Sequence, residues 1–339
     1  MAGDHEHPDH RPDASDSHGH GHGQGGHEHF GPADPATLAT RQGTRATWIS
    51  LGLLALTAVL QLGVVMVSGS VALLADTIHN LTDALTAVPL LIAFRLARKP
   101  PNARYPYGYH RAEDLAGVVI VAMILLSAVF AGVEAVRRLF DPEPIEQIGL
   151  VLAAGLIGFA GNEAVAIYRI RVGKRIGSAA MEADGLHARA DGITSLGVVL
   201  SAIGVMLGFE RADAFVGLAI TLAIGWTLVQ AARAVIHRVL DGSDEATIGL
   251  IEEIASAVPG VEHVTEARAR WTGHQLRAEL NIVVEPRLTV EDGHAIADRA
   301  RDELLHHVPR LGAATVHVDP HEHDGHRAPA KDPTVHASE

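Results

Sequence analysis

No cysteine occurs among the 339 residues. Disulfides and thiolate metal sites are thereby excluded, and any metal site must be built from nitrogen and oxygen donors. Positive charge is also short: 27 Lys and Arg stand against 40 Asp and Glu, a formal net charge of −13. That balance argues against a nucleic-acid partner, which needs a basic surface for phosphates. The first 36 residues almost lack aliphatic side chains, and they have neither the basic start nor the apolar core of a secretory signal. Such a segment, rich in His, Gly, Asp and Pro, cannot bury enough surface to offset its ordering entropy, and disorder is expected. Residues 321–339 share that composition. The H-E-x-x-H signature of a zinc hydrolase is missing, which disfavours an intramembrane metallohydrolase; no enzymatic activity is expected.

What the chain does have is histidine, at 22 residues, and apolar length. Its mean hydropathy of +0.17 is too low for a wholly embedded protein and high for a soluble one, so the apolar residues must be unevenly spread. They fall in six runs, near 46–67, 71–94, 114–136, 146–169, 179–208 and 213–238. Each is about 20 residues or longer, the length a helix needs to cross the hydrocarbon. Basic residues gather in the second connection (Arg95, Arg98, Lys99, Arg104, Arg111) and the fourth (Arg169, Arg171, Lys174, Arg175), whereas the first, Ser68-Gly69-Ser70, has none. The positive-inside rule then places both chain ends in the cytoplasm. Trp48 and Tyr168 fall near the inner interface.

From about Asp241 the pattern changes to helix, two alternating strands around Thr272-Gly273, an amphipathic helix opening at Thr289, and a last strand, "AATVHVDP". The expected architecture is a membrane α-helical domain of six transmembrane helices (41–240), followed by a small cytoplasmic α+β domain (241–320) of order α-β-β-α-β, ferredoxin-like. Tails at 1–40 and 321–339 flank them.

The second and fifth runs carry the same polar pattern, A-D-x-x-H-x-x-x-D, as "ADTIHNLTD" (75–83) and "ADGLHARAD" (183–191). Residues four apart share a helix face, so His79 points with Asp83 and His187 with Asp191. One copy in each half of a three-plus-three arrangement is the pattern of an inverted repeat with a site at the repeat interface. Two imidazoles and two carboxylates make a four-coordinate site of the kind Zn²⁺ accepts. Ionisable groups in membrane helices are costly and mark ion paths or proton relays. The alternative for either pair is a hydrogen-bonded contact gluing two helices. Asp76 and Asp184, three residues before each histidine, are candidates to orient the imidazoles as second-shell acceptors. Arg189 lies on the far side of its helix and needs a partner, for which Glu163 is the candidate.

These residues, with "YGYHRAE" (107–113), "NEAVAIY" (162–168) and "VHVDP" (316–320), resemble the cation diffusion facilitator family of metal/proton antiporters, zinc-type members in particular. The resemblance covers about residues 45–320. It implies a homodimer, a cytoplasmic domain that binds metal and tightens the dimer, and alternating access with metal moving outward against protons. It implies that His79, Asp83, His187 and Asp191 form the transport site, and that His294, His317 and Asp319 hold metal in the cytoplasmic domain. Thr265 and Asn281 stand where other members place histidines, and Tyr105 and Tyr109 occupy the histidine positions of a loop site found in some members, so that loop site is expected to be absent. Arg111 and Asp241 match a charge interlock near the inner membrane face of the dimer. The expected cargo is Zn²⁺, with Fe²⁺, Mn²⁺, Co²⁺, Ni²⁺ or Cd²⁺ as alternatives, and a non-transporting metal sensor as a further one. No cofactor is expected beyond the cation itself, as substrate and as a structural ion. A bacterial inner membrane is the expected location. The His-rich tract "HGHGHGQGGHEH" (18–29) could gather metal near the inner mouth or be a replaceable tail.

Overall fold

A computed structural model of the chain describes residues 35–68, 87–140, 148–209 and 212–320. The apolar runs form α1 (Pro35–Ser68), α2 (Ala87–Ala97), α3 (Ala112–Phe140), α4 (Ile148–Ile176), α5 (Ala179–Met206) and α6 (Ala212–Val239). Among the described residues, five stretches are long and apolar enough to cross a membrane: 38–67, 112–137, 148–176, 179–206 and 215–239. The run at 71–94 is represented by α2; its earlier residues lie outside the described ones.

The helices pack inside out relative to a water-soluble protein. α5, the best-buried helix, presents small residues to its neighbours α4 and α6, including Ala183, Gly185, Ala188, Ala190, Gly192, Ser195 and Gly197. A methyl group on Gly185 would sit 2.9 Å from the backbone nitrogen of Ile170, and one on Gly155 would sit 2.7 Å from Val199. Small residues at such crossings let helix backbones approach where no hydrophobic effect drives association. The large aliphatics face outward instead: Val119, Leu126, Phe130 and Val133 of α3 and Leu222 and Trp226 of α6 are exposed in the isolated chain. Lipid is the solvent that suits such a surface.

α1 has 34 residues and so spans about 51 Å, well beyond a hydrocarbon core of about 30 Å. It begins at Pro35, a few residues before the boundary placed at 41. In these first turns Thr40 is buried and makes a tertiary contact described below, and Ala39 packs against the cluster of Leu90 and Phe94.

The second domain follows the expected order: α7 (Glu245–Ser256), β1 (His263–Thr272), β2 (Gln275–Val283), α8 (Val290–His307) and β3 (Leu311–Asp319). β2 is central, antiparallel to β1 and parallel to β3. The parallel pairing requires the crossover that α8 supplies. Thr289 caps α8 as its hydroxyl accepts from the Asp292 amide at 3.1 Å. Ile251, Trp271, Leu276, Leu280, Ile282, Ile296 and Leu304 fill one core between the sheet and both helices.

The β1–β2 turn docks on the membrane domain. Gly273 has φ +60, and a Cβ there would meet the carbonyl oxygen of His110 at 2.7 Å. Its amide donates to Asp114 (3.3 Å), and its carbonyl accepts from Arg238 (3.1 Å). The Arg238 guanidinium lies 3.8 Å from the Trp271 ring centroid. The next residue, His274, is buried with Nδ1 2.8 Å from Glu113 Oε2 and Nε2 3.3 Å from the Thr40 hydroxyl. Arg310, in the turn before β3, donates to the carbonyls of Lys174 and Arg175 at the end of α4. Replacing His274 by leucine strands the Glu113 carboxylate without its imidazole, a cost of about 1–3 kcal/mol. The full-length variant in detergent should unfold several degrees below the parent, and His274→Gln, which can still donate to the carboxylate, should lose less.

Candidate metal-translocation centre

α5 carries the described half of the repeated motif. Ser178 opens the helix, its hydroxyl accepting from the Met181 amide at 3.1 Å. Nine residues on, about 14 Å along the axis, comes His187, 2% exposed. Its Nδ1 is 3.9 Å from Asp191 Oδ1, one turn further, whose side chain is 11% exposed. The pair thus shares one interior face, as its spacing predicts. At 3.9 Å the two groups are neighbours rather than locked to each other in a hydrogen bond. A cation between them would use an imidazole nitrogen and a carboxylate oxygen, each at about 2.0–2.2 Å for zinc. His79, Asp83 and Asp76, the other half of the reading, lie outside the described residues.

Asp184, a candidate to orient His187, meets a different group. Its Oδ2 is 2.8 Å from Nη1 of Arg169 on α4, and both side chains are almost wholly buried (0% and 2% exposed). The contact is an ion pair by distance without hydrogen-bond alignment, since neither carboxylate oxygen has a hydrogen-bond partner among the described residues. The sequence reading took Arg169 for a loop charge. The signal that could have found it is that an arginine ahead of the end of an apolar helix needs a carboxylate at its own depth, and Asp184 is on the next helix. The one arginine of α5 found the expected partner: Arg189 Nη2 and Nε lie 2.8 and 3.3 Å from the two oxygens of Glu163. The α4–α5 crossing is therefore held by two ion pairs.

A strip of neutral polar residues also escaped the sequence reading. Gln61 and Asn162 are buried in α1 and α4, with Thr57 and Ser195 nearby. Gln61 Nε2 donates to the Ala154 carbonyl at 3.3 Å. A methyl group on Gly158 would sit 2.8 Å from the Ser195 hydroxyl and 2.9 Å from Gln61 Nε2. Amides inside apolar runs are the sequence signal.

Arg111 Nη2 lies 2.6 Å from Asp241 Oδ1. Asp241 has φ +58, a left-handed conformation that suits Asp better than most residues and ends α6. In the loop before α3, the Tyr105 and Tyr109 rings are 4.7 Å apart, and Asn102 donates to the Tyr109 hydroxyl at 2.8 Å. In the second domain, His317 Nε2 lies 3.0 Å from Asp319 Oδ1, whereas His294 faces Asp298 on its own helix at 3.4 Å. Thr265 Oγ1 and the Asn281 carbonyl oxygen lie 3.5 Å apart across β1 and β2. No group of three or more His, Asp or Glu is poised around a metal position among the described residues of one chain. The set His294, His317 and Asp319 is thus not assembled within the single chain; only the pair His317–Asp319 is, because His294 is turned along α8.

Residues 47–238 match the cation efflux transmembrane domain, and residues 243–321 match the cytoplasmic domain of cation efflux proteins. A "Probable cation efflux system protein" of Mycobacterium tuberculosis (strain ATCC 25618 / H37Rv) is 53% identical over 309 residues, 91% of this chain and 93% of its own. The "Cation-efflux pump FieF" of Klebsiella pneumoniae is 27% identical over 256 residues, 75% of this chain and 84% of its own. A solved MamM-CTD structure is 33% identical over 23% of this chain and 98% of its own, with a TM-score of 0.23. The two matched domains together span nearly all of the chain that is not tail, and the chain belongs to the cation diffusion facilitator family of multi-pass cation efflux transporters.

Proposed function

We propose that this protein exports a divalent cation, Zn²⁺ in the first place, from the cytoplasm in exchange for protons, by alternating access around His79, Asp83, His187 and Asp191. The observation that carries this reading is the burial of His187 beside Asp191 on the interior face of α5. The lower end of the second apolar run also packs near that helix: Leu90 and Phe94 of α2 share a cluster with Ala180 and Met181 of α5. Asp83 precedes Phe94 by eleven positions and Asp191 follows Met181 by ten. The two motifs thus stand at nearly equal chain distances from the shared cluster.

Metal ligands must be deprotonated, so cation and protons compete for the same imidazole and carboxylate atoms. Open to the cytoplasm, the site takes the cation; open to the far side, protons displace it, and the inward proton gradient turns the cycle. Two imidazoles favour zinc over harder ions such as Mn²⁺, which prefer oxygen. The chain acts as a homodimer through its second domain, in a bacterial inner membrane with both termini in the cytoplasm. The Arg111–Asp241 pair serves as a charge interlock near the inner membrane face of the dimer. No catalytic step and no cofactor enters. Uptake of Zn²⁺, Cd²⁺, Co²⁺, Ni²⁺, Fe²⁺ and Mn²⁺ into everted vesicles, each with a pH readout, tests this. Zinc uptake should be fastest, with proton release from the lumen; faster manganese transport would refute the cargo, and uptake without proton movement would refute the exchange.

A further inference from the structure

Between the α2–α3 loop and the β1–β2 hairpin lies a cavity of about 350 Å³. Four guanidinium groups line it, from Arg104, Arg111, Arg270 and Arg277, together with Tyr105 and Tyr107. The described residues that line it include no carboxylate. In a chain of net charge −13, this concentration of one sign is a local choice. Arg111 is engaged by Asp241 at 2.6 Å, and Arg270 by Glu279 at 3.2 Å. The other two have no described carboxylate in ion-pair reach. Arg277 lies 5.4 Å from the Tyr107 ring centroid and Arg104 5.8 Å from that of Tyr105. Nε of Arg270 is buried with no acceptor among the described residues.

The pocket repels cations and offers forked N–H donors, the geometry that suits a phosphate. Its position selects the kind of phosphate. The loop leaves α2 at Ala97 and enters the span of α3 at Ala112, so it runs along the bilayer surface. Tyr107 is 69% exposed and Tyr105 44%, amphipathic rings of the kind enriched where acyl chains meet headgroups. We propose that this pocket binds the headgroup phosphate of an anionic phospholipid, tying the hairpin of the cytoplasmic domain and the α2–α3 loop to the leaflet. The site is separate from the transport site, and the inference stands whatever the cargo.

The test counts lipids bound to the full-length protein in detergent by native mass spectrometry, with phosphatidylglycerol, phosphatidylcholine or inorganic phosphate added. Phosphatidylglycerol should be held in preference to phosphatidylcholine. In R104Q/R277Q its affinity should fall by about tenfold or more, given the strength of single basic contacts to anionic lipid, while R104K/R277K keeps most of it. Neither variant touches the Arg111–Asp241 or Arg270–Glu279 pair, and equal unfolding temperatures without lipid confirm an intact fold. Inorganic phosphate should compete poorly. Equal binding of phosphatidylglycerol by R104Q/R277Q and the parent, no preference over phosphatidylcholine, or ready displacement by inorganic phosphate would each overturn the proposal.

Discussion

Asp191→Ala and His187→Ala are each expected to abolish zinc-driven proton movement in proteoliposomes and to weaken metal binding by at least about 100-fold. Losing a group that merely orients a ligand costs about 10–100-fold, and losing the ligand itself costs more. The two residues lie 3.9 Å apart on one buried face, and in the proposed four-donor site either deletion would leave the ion with three protein donors. Asp191→Asn separates coordination from shape. The amide fills the same space and can still hydrogen-bond, yet it lacks the charge that competes for both proton and metal. It should therefore keep the unfolding temperature near that of the parent while transport is lost. Parent-like flux in Asp191→Asn would mean that the pair is only a contact between helices.

Arg169→Leu is expected to be the most destabilising single change in the membrane domain. Removing the guanidinium leaves the Asp184 carboxylate, 0% exposed, alone in an apolar interior. Breaking a fully buried pair in this way costs about 3–5 kcal/mol, whereas replacing both partners by apolar groups of similar volume is often neutral. Asp184→Leu should be comparably damaging, and the Arg169→Leu/Asp184→Leu double variant should recover most of the lost stability. Thermal unfolding of the four proteins in detergent reads out the cycle. If the pair also sets the height of His187, one turn along α5 from Asp184, the double variant will be stable and still transport with a raised KM. Additive losses in the double variant would show that the two charges act independently of each other.

The membrane helices and the α-β-β-α-β domain were legible because they rest on local patterns: apolar length, strand alternation, and the Thr289 cap. The shared face of His187 and Asp191 was legible for the same reason, since four-residue spacing fixes a common face whatever surrounds it. Arg189 and Glu163 could be matched because Glu163 is the one acidic residue of α4. What spacing could not show were contacts set by tertiary packing. Asp184 looked like a partner for His187 because they are three residues apart, but the α4–α5 crossing sets Arg169 2.8 Å from it. The contact of Thr40 in the first turns of α1 with His274, 234 positions away, is not announced by anything in that segment. The link of Arg111 to Asp241, 130 positions apart, came from the family resemblance rather than from either residue's neighbourhood. The buried amides Gln61 and Asn162 were visible in the sequence, but no periodic rule marked them as one strip.

Anomalous scattering at the zinc edge from zinc-soaked protein addresses the central proposal most directly. The account predicts one strong peak between α5 and the preceding part of the second run, with His187, Asp191, His79 and Asp83 as donors at about 2.0–2.2 Å, and no peak there in Asp191→Ala. Zinc bound elsewhere while the His187–Asp191 face stays empty would contradict it.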